Sequence, residues 1–234
     1  MTALITQSNY IPWKGYFDNI ALADVFVIYD DMQYTKRDWR SRNKVKSDAG
    51  LKWLSIPVEV KGKFHQKINE TKVSDKGWNK SHLNTILNYY RTAPCFKENK
   101  EWLEALFMNC DSLWLTEINR YFIEQIMMYL DVQCEIKDSR EFTLVEGKTE
   151  KLVSICEQVN ASNYITGLAA KDYMNENLFT ERGINVHYSD YSGYEEYPQL
   201  NPPFEHGVTI LDLILNVGKK TRNYLKHSKL STHG

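Results

Sequence analysis

The sequence predicts an α/β protein with a mostly parallel, Rossmann-like sheet flanked by helices and with a helical insert in mid-chain. Short β-branched and aromatic segments alternate with longer segments of helical periodicity, a pattern typical of this class. The first unit, residues 3–29, has the pattern strand, helix, strand, which predicts a parallel pair joined by a right-handed crossover. The chain has 234 residues, and we expect a single domain over residues 1–218.

The first two strands are predicted at residues 3–6 and 25–29. Between them Pro12 suits the first turn of a helix, and apolar residues from Trp13 to Ala21 recur at helical spacing. Further candidate strands lie at 54–58, 134–137, 164–166 and 185–189. Candidate helices lie at about 78–91, 98–108, 113–130, 150–160, 169–181 and 209–217, the last ending at Gly218, a suitable C-cap. No strand separates the helices within about 78–130, the predicted insert, and residues 219–234 are predicted to be a basic, flexible tail.

Composition excludes several classes of function. A net charge of -1 argues against binding nucleic acid through overall charge. No apolar segment approaches the roughly 20 residues of a membrane span, and no signal-peptide pattern opens the chain, so we expect a cytoplasmic protein. The 4 cysteines form no CxxC pair, and the histidines form no HxxxH or HExxH pair, so no metal site is recognisable.

Polar residues follow the ends of several predicted strands. In open parallel sheets, ligands bind at the carboxyl ends of the strands, so we expect these residues to gather at one edge. Each of them is also an ordinary cap or turn former, because strand ends run into polar loops, and the sequence leaves that alternative open. The residues are Gln7, Ser8, Asn9, Tyr10, Asp30, Asp31, Gln33, Tyr34, Asp138, Ser139, Thr166, Gly167 and Asp190.

The segment 33–46 is strongly basic and carries two aromatic side chains. It holds six lysines and arginines against the single acid Asp38, so 6 − 1 gives a local charge of +5. Arginine matches phosphate or carboxylate bidentately, and Tyr34 and Trp39 could stack on a base or sugar ring. The segment predicts a ligand that is nucleotide-linked or otherwise anionic, with a solvated charged loop as the alternative.

Two residues are candidates for a catalytic base. Adjacent strand residues point to opposite sides, so we expect one of Asp30 and Asp31 in the site and the other as a cap, with Asp31 as the candidate base. His82 lies on the helix that begins at Trp78, where a lone histidine is more often structural. His206 lies in a loop from which it could reach a pocket. Gly167 precedes a helix start whose amides could bind an anion.

The residues also carry a resemblance to a known family, the WbqC-like family, over about residues 4–218. Its motifs are Q-x-x-Y-x-P-W-x-G-Y-F at 7–17, D-D-x-Q-Y at 30–34, W-x-x-R-N at 39–43, W-L-S-I-P-V at 53–58, Y-x-x-A-P-x-F at 90–96, Y-P-Q at 197–199 and T-I-L-D-L-I-L-N-x-G at 209–218, with Trp78, His82 and Ser139. Ser8 stands where members often have proline, and Asp138 where many have a second serine.

The resemblance implies an accessory protein of surface-polysaccharide (O-antigen) gene clusters that transfers glycine or another amino acid onto an amino sugar. We therefore expect a small-molecule, nucleotide-linked sugar as the ligand and Asp31 or His82 as the base. The candidate substrate-binding residues are Gln7, Tyr10, Trp13, Gln33, Tyr34, Arg37, Trp39, Arg40, Arg42, Asn43, Ser139, Gly167, Tyr197 and Gln199.

Two alternatives stay open at this point. The order strand, P-W-K-G-Y, helix is similar to that of adenylyl-transferring enzymes with an H-x-G-H turn, with Trp13 and Tyr16 in place of both histidines; it suggests an ATP-using nucleotidyl or adenylate-forming enzyme. The other alternative is an RNA-binding or scaffold module that uses residues 36–46 and shows steep salt dependence. The sequence leaves open the acyl donor, the cofactor, a need for metal and the oligomeric state.

Overall fold

The computed structural model describes residues 1–227. The strands are β1 (Thr2–Thr6), β2 (Val25–Ile28), β3 (Arg42–Ser47), β4 (Gly50–Ser55), β5 (Glu135–Asp138), β6 (Asn163–Thr166) and β7 (Asn185–Tyr188). The helices are α1 (Lys14–Ala21), α2 (Trp78–Tyr89), α3 (Phe96–Met108), α4 (Leu115–Leu130), α5 (Lys148–Gln158), α6 (Asn177–Thr180) and α7 (Ile210–Val217).

The main sheet has five strands in the order β5-β2-β1-β6-β7, and every pairing within it is parallel. The predicted α/β class with a parallel sheet is therefore confirmed. The chain winds outward from β1 to β2 and β5 and then returns to β6 on the other side of β1. This is the strand order of doubly wound folds, whose ligands bind where the winding reverses, here between β1 and β6.

Two hydrophobic cores cover the two faces of this sheet. Leu4, Phe26 and Ile165 belong to the larger core, which also includes apolar residues of α1, α2, α3, α4 and α7. Ala3 and Tyr164 belong to the smaller core with α5 and α6. Because both faces are covered, the central strands β1, β2 and β6 are mostly apolar runs, whereas the edge strands β5 and β7 also carry polar and charged residues.

The segments 33–46 and 54–58 differ from their predictions. The strand at Gly50–Ser55 is not part of the parallel sheet; it pairs antiparallel with Arg42–Ser47 in a separate two-stranded hairpin. The candidate strand at 54–58 therefore begins earlier in the chain than predicted and lies outside the parallel sheet, and no strand was predicted at Arg42–Ser47. The charged residues of β3 concealed its period of two, in which Asn43 and Val45 are buried.

The predicted helix at 169–181 is also interrupted. A 3-10 helix spans Leu168–Asp172, and only the four residues Asn177–Thr180 are α-helical. The side chain of Asn175 accepts a hydrogen bond from the backbone N–H of Asn177 (3.2 Å), and this local turn competes with continuous helix.

The chain remains packed after α7. A 3-10 helix spans Gly218–Tyr224, Thr221 and Leu225 are buried, and the N–H of His227 donates to Asp18 (2.7 Å). The remainder of the predicted tail, 228–234, lies outside the described residues. Within residues 1–227 no helix is both long and apolar enough to span a membrane.

A buried carboxylate ties together the elements at the carboxyl edge. Asp30, fully buried, accepts hydrogen bonds from the Ser8 N–H (2.8 Å) and hydroxyl (2.6 Å) and from the Thr116 hydroxyl (2.5 Å). Asn119 donates to the Ser8 hydroxyl and to the carbonyl of Arg40, both at 2.9 Å. Burial raises the pKa of Asp30, and the bonds from Ser8 and Thr116 oppose that rise. The ends of β1 and β2, helix α4 and the basic segment are thereby joined.

We expect Asp30→Ala to lower the free energy of unfolding by about 3 kcal/mol, because it leaves three buried donors without an acceptor. Urea unfolding followed by circular dichroism measures this, with the exposed Asp111→Ala as the matched control, expected within about 0.5 kcal/mol of the parent. Equal stabilities of the two variants would contradict the structural role of Asp30.

Candidate functional site

A cavity of about 670 Å³ opens at the carboxyl edge between β1 and β6. Thr6 and Gln7 at the end of β1 and Thr166 and Gly167 at the end of β6 contribute to its wall. We call it the switch-point cavity, because it lies where the winding of the sheet reverses. Its position is the one that the fold favours for ligand binding.

Three cationic side chains line the switch-point cavity: Arg40, Lys148 and Lys151. Lys148 is the first residue of α5, and Gly147, the residue before it, adopts a φ of 97° that favours glycine. The free amides of a helix start, together with positive side chains, favour an anion. Neither lysine forms an ion pair with another residue of the described chain.

A second cavity, of about 550 Å³, has a different lining. Its residues are mostly aromatic or uncharged polar ones, and we call it the aromatic cavity. They come from the β1–α1 loop, the basic segment, the loop after β7 and the loop before α7: Asn9, Pro12, Trp13, Trp39, Asn43, Tyr191, Ser192, Gly193, Tyr194, His206 and Gly207.

Helix α1 fastens the outer wall of the aromatic cavity. The Tyr194 hydroxyl donates to the buried carboxylate of Asp18 (2.6 Å), and Asn19 donates to the Tyr191 hydroxyl (2.9 Å). The Trp13 ring packs edge-on against both tyrosines, with centroid distances of 5.2 and 5.5 Å. Aromatic pairs of this kind stabilise a structure by more than the apolar area they bury. They therefore hold the loop after β7 in place although it forms no helix or strand.

The two cavities meet at one pair of side chains. The Arg40 guanidinium donates to the Asn9 side-chain oxygen; Arg40 lines the switch-point cavity and Asn9 lines the aromatic one. Trp39, the neighbour of Arg40 in sequence, lines the aromatic cavity. A ligand that filled both cavities would therefore contact the Arg40 guanidinium where the two cavities meet.

Six predicted substrate-binding residues line these cavities. Gln7, Arg40 and Gly167 line the switch-point cavity, and Trp13, Trp39 and Asn43 line the aromatic one. The Asn43 amide is committed to the protein, since it donates to the carbonyls of Tyr10 and Ile11 at 3.0 and 2.9 Å.

Four further predicted residues lie outside both cavity linings and bond within the protein; Tyr10, Tyr34 and Tyr197 are buried and Gln199 is half-buried. The hydroxyl of Tyr10 contacts His82, and that of Tyr34 lies 2.7 Å from the Ser41 hydroxyl. The Tyr197 hydroxyl and the Gln199 amide both donate to the buried Asp212, at 2.6 and 2.8 Å. The polar groups of these four residues therefore form hydrogen bonds within the protein, which is a structural role.

The other predicted substrate-binding residues lie outside both cavity linings. Gln33 donates to the Phe64 carbonyl (2.8 Å), Arg37 is exposed, and the Arg42 guanidinium lies 3.9 Å from the Trp53 ring centroid. Lys46 is buried and donates to Gln199 (2.6 Å). The basic segment therefore does not present one continuous cationic face.

Asp31 is engaged by neighbouring side chains. It accepts hydrogen bonds from Ser139 (2.5 Å) and Lys67 (3.1 Å). Partial burial raises its pKa, but the bonds from Ser139 and Lys67 outweigh this, so the pKa is lowered overall. A carboxylate with a lowered pKa and two bound donors is a weak proton acceptor, and Asp31 lies outside the lining of both cavities.

His82 lies in an aromatic cluster with Tyr10, Trp78 and Phe122. Its Nε2–H donates to the Ser55 carbonyl (3.2 Å), so Nδ1 accepts the Tyr10 hydroxyl proton (2.8 Å). Burial lowers its pKa to about 4, which keeps the ring neutral. Both ring nitrogens are therefore engaged in hydrogen bonds within the protein.

Four cavity residues were not predicted from the sequence: Tyr191, Tyr194, Lys148 and Lys151. Asn9 was expected at the carboxyl edge, and His206 was noted as a loop residue that could reach a pocket; both line the aromatic cavity. The tyrosines carried a signal, because Tyr188, Tyr191, Tyr194 and Tyr197 recur every third residue in a polar stretch. The two lysines carried none, since lysine is ordinary in an exposed first helical turn. Within the described chain, no cluster of three or more His, Cys, Asp or Glu is arranged to hold a metal ion.

The fold and the cavities define a doubly wound α/β protein with a cavity at its switch point. The chain belongs to the WbqC-like protein family, whose model matches residues 7–224. It is 44% identical over 225 residues to a Mycobacterium tuberculosis (strain ATCC 25618 / H37Rv) protein named "Uncharacterized protein Rv1507c", covering 96% of this chain and 97% of that relative. No solved structure matches the chain significantly.

The lowered pKa of His82 predicts a specific pH dependence of stability. The unfolded chain binds a proton near the usual pKa of 6.5, whereas folded His82 binds one only near pH 4. The contribution of neutral His82 to the free energy of unfolding is therefore fully present above pH 6.5. It falls by about 3 kcal/mol as the pH drops to 4.

His82→Gln keeps a donor for Ser55 and an acceptor for Tyr10 but does not titrate. We expect its free energy of unfolding, measured in urea across pH 4–7, to fall less steeply than that of the parent. The exposed His65→Gln is the control and should keep the parent slope. The same slope for both variants would show that His82 binds its proton with the same pKa in the folded and the unfolded chain.

Proposed function

We propose that this protein is a transferase of surface-polysaccharide (O-antigen) biosynthesis that acylates a nucleotide-linked amino sugar with glycine or another acyl group. The observation that carries the proposal is the junction of a cationic cavity with an aromatic one at Arg40 and Asn9. A nucleotide sugar has the matching order of parts, with a dianionic diphosphate between two rings.

The switch-point cavity suits the nucleotide. Arg40 offers a planar fork for phosphate oxygens, and Lys148 and Lys151 at the start of α5 add positive charge. Tyr29 and Tyr173 line the same cavity and provide rings on which a base could stack.

The aromatic cavity suits the amino sugar. The flat C–H face of a pyranose is apolar and packs against an indole ring such as Trp13 or Trp39, which removes apolar surface from water. Asn9 and Ser192 offer polar groups to the sugar hydroxyls. Apolar walls with a few polar groups are typical of small-molecule sites.

His206 is the proposed general base. Burial and the nearby charge of Lys14 lower its pKa, so the ring is neutral at pH 7 and can accept a proton. In the reaction, the sugar nitrogen forms a bond to the carbonyl carbon of an activated ester or thioester. The bond from that carbon to the donor oxygen or sulfur breaks, and the amine proton passes to His206 and then to the leaving group.

The alternatives differ in their support. RNA binding by residues 36–46 has less support, because Arg40 lines a cavity, Arg42 stacks on Trp53 and Lys46 is buried, so these cations do not form one continuous surface. An ATP-using reaction would use the same cationic cavity, so binding experiments must compare ATP with nucleotide sugars directly.

We expect Arg40→Gln and Lys148→Gln each to weaken binding of UDP-N-acetylglucosamine about tenfold, the effect of losing one charge-assisted hydrogen bond. Isothermal titration calorimetry measures this, with UDP and ATP as further ligands. The control is Lys80→Gln, an exposed lysine of α2, which should bind like the parent. Equal weakening in the control, or tight binding of ATP alone, would contradict the proposal.

We expect His206→Gln to lower the rate of acyl transfer by about 10²–10⁴-fold, the usual contribution of a general base. Binding of the nucleotide sugar should change less than about twofold. Mass spectrometry of a UDP-amino sugar incubated with a glycyl thioester measures the product. An undiminished rate in the variant would exclude His206 as the base.

A further inference from the structure

The outer face of the β3–β4 hairpin carries both aromatic and cationic side chains. Lys44 pairs directly opposite Trp53, so their side chains share a face, and Arg42 lies on the same face by its period of two. Val45 and Leu54 point the other way and are buried. Trp39 and Trp53 are 39% and 43% exposed. We call Trp39, Arg42, Lys44 and Trp53 the hairpin platform.

The platform is a compact group of interacting side chains. The indole rings of Trp39 and Trp53 lie 5.3 Å apart between centroids and are tilted by 46°. Arg42 stacks 3.9 Å from the Trp53 centroid, and Lys44 lies 5.3 Å from Trp53 and 5.9 Å from Trp39.

The two platform cations, Arg42 and Lys44, have no anionic partner among the described residues. Neither Arg42 nor Lys44 forms an ion pair with another residue of the range 1–227, and the Arg42 Nε is buried without a hydrogen-bond partner. The charges of these residues are therefore available to a ligand, and the exposed rings beside them favour one with a flat apolar face.

The hairpin platform adjoins the aromatic cavity. Trp39 belongs to both, whereas Arg42, Lys44 and Trp53 lie outside both cavity linings. A chain-like ligand with one end in the aromatic cavity would therefore cross the platform as it leaves.

We infer that the hairpin platform binds an acidic oligosaccharide, with sugar rings against the tryptophans and carboxylates paired with Arg42 and Lys44. The inference rests on the proposed function, since it extends the sugar site outward. A sugar chain fits better than single-stranded nucleic acid. The rings are tilted rather than parallel, Arg42 already stacks on Trp53, and two cations match spaced carboxylates better than a continuous phosphate backbone.

The test compares binding of an acidic uronate hexasaccharide, a neutral hexasaccharide and oligo(dT), measured by tryptophan fluorescence and calorimetry on the full chain. We expect the acidic sugar to bind most tightly. Trp53→Ala and Lys44→Gln should each weaken it about tenfold, as for loss of one stacking or charge-assisted contact, and raised salt should weaken it further.

The chain offers a matched control. Trp114 is 40% exposed and Lys72 lies 4.4 Å from its ring, so Trp114→Ala and Lys72→Gln remove a similar pair elsewhere and should leave affinity unchanged. Absence of acidic-sugar binding, stronger binding of oligo(dT) or of the neutral sugar, or equal loss in the controls would overturn the inference.

The same variants separate the inference from the proposed function. Trp53→Ala and Lys44→Gln should leave the affinity for UDP-N-acetylglucosamine unchanged, whereas Arg40→Gln should weaken that affinity and leave acidic-sugar binding unchanged. If only nucleotide-sugar binding is found, the platform inference fails alone; if only acidic-sugar binding is found, the proposed nucleotide site fails alone.

Discussion

The buried carboxylate of Asp30 is the interaction on which the carboxyl edge depends. A carboxyl group is costly to bury unless its oxygens accept hydrogen bonds, and its donors come from Ser8 after β1 and Thr116 of α4. Through Asn119 the same network reaches the backbone of Arg40. The positions of the strand ends and of the guanidinium between the cavities are therefore coupled. A proline in place of Ser8 could supply neither the N–H nor the hydroxyl, so this form of the network requires a residue with both donors.

The two cavities differ chemically because neighbouring residues of one irregular segment contribute to different cavities. Trp39 adds a ring to the aromatic cavity and Arg40 adds a charge to the switch-point cavity. The Arg40 side chain is held by the Asn9 oxygen and by the Ser8 carbonyl, at 3.4 Å from the latter. A guanidinium that is already oriented loses less conformational entropy when it binds an anion than a free one does.

The sequence predicted the parallel sheet and part of its edge for one physical reason. Buried strands are apolar runs, and the polar residues directly after them, such as Gln7 and Gly167, occupy the edge wherever the strands are parallel. Tyr10 and His82 were harder to interpret, because a polar atom on an aromatic ring is equally suited to a ligand and to a buried hydrogen bond. The strand at Arg42–Ser47 was missed because its solvent-facing residues are all charged. Lys148 reaches its cavity through tertiary packing of an ordinary helix start, which no local pattern encodes. The loop position of His206 indicated that it could reach a pocket, but which pocket depends on tertiary packing as well.

Residues 189–209 contain no helix or strand, yet they supply much of the aromatic cavity. Buried carboxylates replace the missing backbone pairing: Asp18 accepts from Tyr194, and Asp212 accepts from Tyr197 and Gln199. Lys14, also buried, donates to the Glu195 carbonyl (2.9 Å). Each of these bonds is charge-assisted, and such bonds are shorter and stronger than neutral ones. An irregular loop held at several points keeps its side chains in position before a ligand arrives, so less of the binding energy is lost to ordering it. Tyr194 and Tyr197 thus anchor the loop through their hydroxyl groups. The ring of Tyr194 also lines the aromatic cavity.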